Sequence, residues 1–185
     1  MKKLIISGSI LLLSFSAFSQ SVDATSQKMI DAFVRNNTAV NTEAVDPAAV
    51  SKVFTGKFYR IEVGFVEAGS GFSNCGSFNY VNINGSEVKM TEAIHTDLDC
   101  PNLVSMIRKD FLLKDENAAK LFEAALNAIY AVEEDEAKDM KHLKKGTQWI
   151  FVRSKFFDDY TVFVVTTAAN GAITKIDGLL GYTLN

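Results

Sequence analysis

The sequence predicts an α+β fold: a single domain with an antiparallel sheet of about six strands in two meanders and helices packed on it. Three observations point there. Helical periodicity is confined to the start and the middle of the chain, two-residue alternation fills the two stretches that follow, and the strands are separated by short turns rather than by crossover helices.

The first helix falls on residues 21–37, SVDATSQKMIDAFVRNN, where Met29, Ile30 and Phe33 share a face and Thr25 or Ser26 supplies the N-cap. In NTEAVDPAAVSKVF, Asp46 and Pro47 mark the start of a short second helix, with Val50, Val53 and Phe54 on one side. From Lys57 the period changes to two. Tyr59, Ile61, Val63 and Phe65 alternate with Arg60 and Glu62, the pattern of a strand with one covered and one wet face. The glycine- and serine-rich EAGSGFSNCG turns the chain into FNYVNI, and Asn84-Gly85 signals a hairpin before SEVKM.

The clearest helix spans Asp115 to Tyr130, with Ala118, Leu121, Phe122, Ala125 and Ile129 at helical spacing and Asp115 and Glu116 at its start. The next stretch, VEEDEAKDMKHLKKG, runs from acids to lysines and stops at Gly146. It reads as a solvated helix, its charges complementing the macrodipole and the glycine closing its C-terminus. WIFVRSKFF, YTVFVVTTA and AITKIDGLLGYTL form the second meander, with turns at Asp158-Asp159 and Asn170-Gly171. Both meanders place Asn-Gly before their third strand, a faint sign of duplication.

The first residues bear on location. Lys2 and Lys3 precede an apolar run from Leu4 to Phe18, and Ala17-Phe18-Ser19 presents small residues at −3 and −1 of a cut, the layout of a secretory signal peptide over residues 1–19. The run holds five glycines and serines and, at about 15 residues, falls short of the roughly 20 that span a bilayer. The expected product is residues 20–185, exported to a periplasmic or extracellular space, with no membrane span once the leader is removed. Losing a leader that holds two lysines and no acids moves the formal charge from −3 to −5. That sign repels polyanions, so no nucleic-acid partner is expected.

Ala93 to Pro101, AIHTDLDCP, gathers His95, Asp97, Asp99 and Cys100. Alternation places the histidine and both aspartates on one side of an extended segment. A zinc-like ion, however, wants three or four ligands, usually with more than one His or Cys, and the other histidine, His142, falls in the charged helix. A polar loop turning at Asp99 or Asn102 around Pro101 is the expectation, with no metal and no cofactor. Cys75 and Cys100 are the only cysteines, an even number in an exported chain, and are expected to form a disulfide. GSGFSNCG approaches the nucleophile-elbow pattern at Ser73, but Cys75 stands where the second glycine is required, and no phosphate- or dinucleotide-binding glycine motif occurs.

The second meander is apolar on both faces. Ile150, Val152 and Phe156 line one side of its first strand, Trp149 and Phe151 the other, followed by Arg153 and Lys155. Helix Asp115 to Tyr130 covers one side; the N-terminal helix covers the second, or else Trp149, Phe151, Arg153 and Lys155 form an exposed binding face. The function expected is that of a non-enzymatic binding or accessory protein of the bacterial envelope, taking a protein, peptide or small apolar ligand. The alternatives are a metal-dependent hydrolase using His95 and Asp97, and a structural subunit of an envelope complex.

Overall fold

A computed structural model describes residues 22–34, 39–45, 47–63, 78–90, 98–130, 142–156 and 159–182. Helix α1 (Ala24–Val34) leads to strand β1 (Ala39–Val45), a short α2 (Ala48–Val53) and then β2 (Lys57–Val63), β3 (Phe78–Asn84) and β4 (Glu87–Met90). β5 (Leu98–Asp99) and α3 (Pro101–Met106) precede the long α4 (Glu116–Ile129), and the chain finishes with β6 (His142–Lys145), β7 (Gln148–Phe156), β8 (Asp159–Thr167) and β9 (Ile173–Tyr182).

The strands form two antiparallel sheets rather than one. The first has the order β1-β2-β3-β4 and the second β5-β9-β8-β7-β6. β2-β3-β4 and β7-β8-β9 are runs of consecutive antiparallel strands, and each sheet has further strands at its edges. β1 was hidden in AVNTEAV, whose alanines, asparagine and glutamate carry little strand propensity; pairing with β2 in register from Thr42↔Ile61 to Val45↔Phe58 decides its conformation.

Local details differ from expectation where a competing interaction is stronger. Asp23, not Thr25 or Ser26, caps α1: its carboxylate accepts from the Ser26 backbone N–H at 2.9 Å and the Ser26 hydroxyl at 2.8 Å. Pro47 is the N-cap residue of α2, and Asp46 lies outside the described residues. The solvated helix expected up to Gly146 is corrected at its end. Residues 131–141 lie outside the described set, but His142–Lys145 is a strand paired with Gln148–Phe151, and Gly146, at φ +62°, makes the hairpin turn instead of a helix cap. Strand pairing outweighs a charge gradient worth only tenths of a kcal/mol per residue. In place of the loop expected at Asp99 to Asn102 stand β5 and α3, with Pro101 at the first helical position, where its missing N–H costs nothing.

α4 provides the common core. Asp115 caps it by accepting from Ala118 N–H at 2.9 Å. Its buried stripe of Ala119, Phe122, Ala125, Leu126 and Ile129 lies in one cluster with Phe58 and Tyr80 of the first sheet and Trp149, Phe151 and Phe163 of the second. The other face of the first sheet is covered by α1, whose Ile30 and Val34 join Tyr59, Ile61, Val81 and Ile83. The expected wet face of β2 is therefore corrected: Phe58 and Tyr59, on opposite faces, are both about 2% exposed or less. Among the described residues, the buried side of α1 packs on the first sheet. The outward side of the second sheet forms its own cluster of Ile150, Val152, Val162 and Val164.

One turn between α2 and β2 is locked by packing. Asn82, 3% exposed, donates to Thr55 O at 2.8 Å, and Gly56 sits against it at φ +75°, where a Cβ would stand 2.5 Å from Ile83 O and 3.0 Å from the Asn82 amide. Gly85, at φ +62°, has nothing within 4 Å of its Cβ position. Gly85→Ala therefore pays backbone strain alone, roughly 1–2 kcal/mol, while Gly56→Ala adds a clash with main chain and costs about 2–5 kcal/mol. Urea unfolding of the two variants measures the difference; equal losses would contradict the packing at Gly56.

Candidate functional site

The sheet face read as a binding surface is interior. Trp149 is 3%, Phe151 1% and Arg153 6% exposed. Strand alternation puts Trp149 and Phe151 on the side where α4 lies, with Phe151 5.1 Å from Phe122 by ring centroids. A β-bulge after Val152 accompanies Arg153 into the core, where its guanidinium donates to Asn127 Oδ1 and lies 5.5 Å from the Tyr130 ring. Two aromatic rings and a guanidinium so placed bury too much surface to be left in water once α4 can cover them. This corrects Trp149, Phe151 and Arg153 as an exposed face; the side chain of Lys155 lies outside the described residues.

Cys75, His95 and Asp97 also lie outside the described residues, and of Asp99 only its place in β5 is described. Cys100 is 1% exposed, and its backbone N–H donates to Ile176 O at 2.9 Å. His142 stands on a strand and not in the charged helix expected for it. Standing on β6, it reaches the side of α4, with Nδ1 2.7 Å from Glu123 Oε2 and Nε2 2.8 Å from Glu116 Oε1. Glu116 and Glu123 are seven residues apart, two helical turns, so they share a face; only the misassigned strand hid their partner. Among the described residues no group of three His, Cys, Asp or Glu gathers in a way that holds a metal ion.

An open cleft of about 290 Å³ lies where the start of α1 meets β1, α2 and β2. Val45, Val50 and Phe58 form the apolar part of its lining, and Ser51 of α2 lines it as well. At its polar side stand Asp23 and Lys57, 3.5 Å apart and 50% and 71% exposed. The position of Asp23 follows from its capping role, and Ser26 links it onward to the buried Tyr59 hydroxyl, which donates to Ser26 Oγ at 2.7 Å. The cap fixes one charged group at the cleft and ties it to the first-sheet core. Chemically the cleft offers apolar contact, with one anion and one cation at its side.

No protein-family model, curated protein or solved structure matches the chain. Within the described residues, no helix is long and apolar enough to cross a membrane.

The bonds that hold Asp23 also hold its proton affinity down. The Ser26 backbone N–H, the Ser26 hydroxyl and then Lys57 favour the carboxylate and lower its pKa from 3.8 to about 2. A depressed folded-state pKa contributes stability that is fully present above the unfolded value and lost as pH falls through the folded one. The stability difference between the protein and Asp23→Asn should therefore hold above pH 4 and shrink between pH 4 and 2. Chemical denaturation across that range checks it; a constant difference down to pH 2 would contradict the cap.

Proposed function

We propose that residues 20–185 form a single exported domain that works without catalysis, as a binding or accessory protein of the bacterial envelope, and that a peptide or small apolar ligand is its partner. The cleft beside α1 supports this reading. At about 290 Å³ it falls just below the range of drug-sized ligand pockets, about 300 to 1,000 Å³, and suits a small group. Its apolar wall suits a side chain or short aliphatic or aromatic group, and the Asp23–Lys57 pair suits the polar end of such a ligand. Removal of residues 1–19 as a leader and a Cys75–Cys100 disulfide belong to the same proposal. By the chain-entropy estimate a loop of about 25 residues closed by that bond adds about 3 kcal/mol, and the burial of Cys100 at 1% exposure suits a linkage shielded from reductants.

The cleft is tested with an aromatic fluorophore, anilinonaphthalene sulfonate, whose ring fits the wall and whose sulfonate suits Lys57. Its emission should rise on the folded protein. Ser51→Phe, which fills the cleft from an exposed position, should weaken binding at least about tenfold, or 1.4 kcal/mol. Unchanged binding by Ser51→Phe would overturn the cleft as the site. Intact mass of protein made in a bacterial host should correspond to a start at Gln20, and a non-reducing peptide map should contain the Cys75–Cys100 pair; a full-length product in the membrane pellet would refute export.

A further inference from the structure

Two Asn-Gly dipeptides stand in turns between paired strands, and the fold treats them differently. Asn84 ends β3 opposite Glu87 of β4, and Gly85 and Ser86 are the two residues of the turn. Asn84, Gly85 and Ser86 are all exposed, Gly85 takes φ +62°, and nothing lies within 4 Å of its Cβ position. Among the described residues no hydrogen bond holds the Asn84 side chain or the Gly85 N–H.

The turn between β8 and β9 is clamped. Asn170 is exposed, but its Oδ1 accepts from the Ala172 N–H at 3.0 Å. Gly171 is buried, with its N–H donating to Ala168 O at 2.9 Å and its carbonyl accepting from the Leu113 N–H at 2.8 Å. A Cβ on Gly171 would stand 2.5 Å from Lys114 Cγ, so the chain leading into α4 packs directly on this turn. The side-chain amide and the following main-chain nitrogen are both held at Asn170–Gly171, and both are open to water at Asn84–Gly85.

We propose that Asn84–Gly85 is a site of covalent modification, where the asparagine converts without an enzyme to aspartate and isoaspartate, and that the fold protects Asn170–Gly171 from the same reaction. The Gly85 main-chain nitrogen attacks Asn84 Cγ. A C–N bond forms and closes a succinimide ring, the Cγ–Nδ2 bond breaks, and the proton of the Gly85 N–H passes through solvent to the departing ammonia. Water then opens the ring: at Cγ it gives aspartate, and at the α-carbonyl it leaves the main chain running through the side chain as isoaspartate. No oxidant, reductant or cofactor is consumed. Glycine lets the nitrogen approach because no Cβ stands beside it. A hydrogen bond on that nitrogen must first break, which is the protection at Gly171. Either product places a carboxylate opposite Glu87, where like charges repel, and isoaspartate adds a methylene to the main chain where β3 and β4 set their register.

The chain supplies its own comparison. Folded protein is held at mildly alkaline pH, sampled over time and mapped by peptide mass spectrometry. The peptide with Asn84 should gain one mass unit several-fold faster than the peptide with Asn170, and an isoaspartate methyltransferase should label the first. In concentrated urea, where the hydrogen bonds at Gly171 are gone, the two rates should come together. Gly85→Ala should lose most of the conversion at Asn84 in both conditions. Equal rates at the two asparagines in the folded protein, an Asn84 that reacts only after unfolding, or full conversion in Gly85→Ala would each overturn the proposal.

Discussion

The structure depends on one constraint: two antiparallel sheets, each with an aromatic inner face, share the apolar side of α4. Two runs of ring contacts make the connection. Phe122 lies 6.1 Å from Phe54, which in turn meets Phe58 of the first sheet at 5.3 Å, and 5.1 Å from Phe151 of the second. At the helix C-terminus, Tyr130 stands 5.9 Å from Tyr80 of the first sheet and 5.1 Å from Phe163 of the second. These separations fall in the range where aromatic pairs add to the energy of burial alone. A sheet face needs a cover, and one helix supplies it to both.

The positions of the cleft and of the contact between His142 and the two glutamates follow from that arrangement. Because α4 takes the inner faces, α1 is left to cover the outer face of the first sheet, and its capped start meets β1, α2 and β2 at the cleft. On the other side, the flank of α4 turned away from the core carries Glu116 and Glu123 toward β6. Among the described residues that strand is an edge of the sheet, paired to β7, and His142 is the residue it places against the helix. Apolar burial fixes the backbone, and the charged groups occupy the borders that burial leaves.

The elements legible in the sequence were those whose pattern is set by their own burial. α4 shows its stripe because Phe122, Ala125 and Ile129 all face one core, and β7 and β8 show apolar residues on both faces because both faces are covered. What was not legible depended on a partner distant in sequence. AVNTEAV becomes a strand through β2, and HLKK through β7; neither carries an alternation of its own. The same limit applied to the site. Trp149, Phe151 and Arg153 have the composition of an interface, and composition is silent on whether α4 or water lies above them. Asp23 and Lys57 are 34 residues apart and are joined only by packing, while His142 finds its two carboxylates only once β6 is a strand.

The most direct test of α4 as the shared core is the unfolding of Phe122→Ala, followed separately in each sheet. Trp149 fluorescence reports the second sheet, and amide hydrogen exchange at Ile61 and Val81, both 0% exposed, reports the first. Removing a fully buried phenylalanine should cost about 3–5 kcal/mol, and both probes should lose that stability together, in one transition. A variant in which Trp149 is released while Ile61 and Val81 keep their full protection would show that the two sheets are stabilised independently and that α4 does not join them.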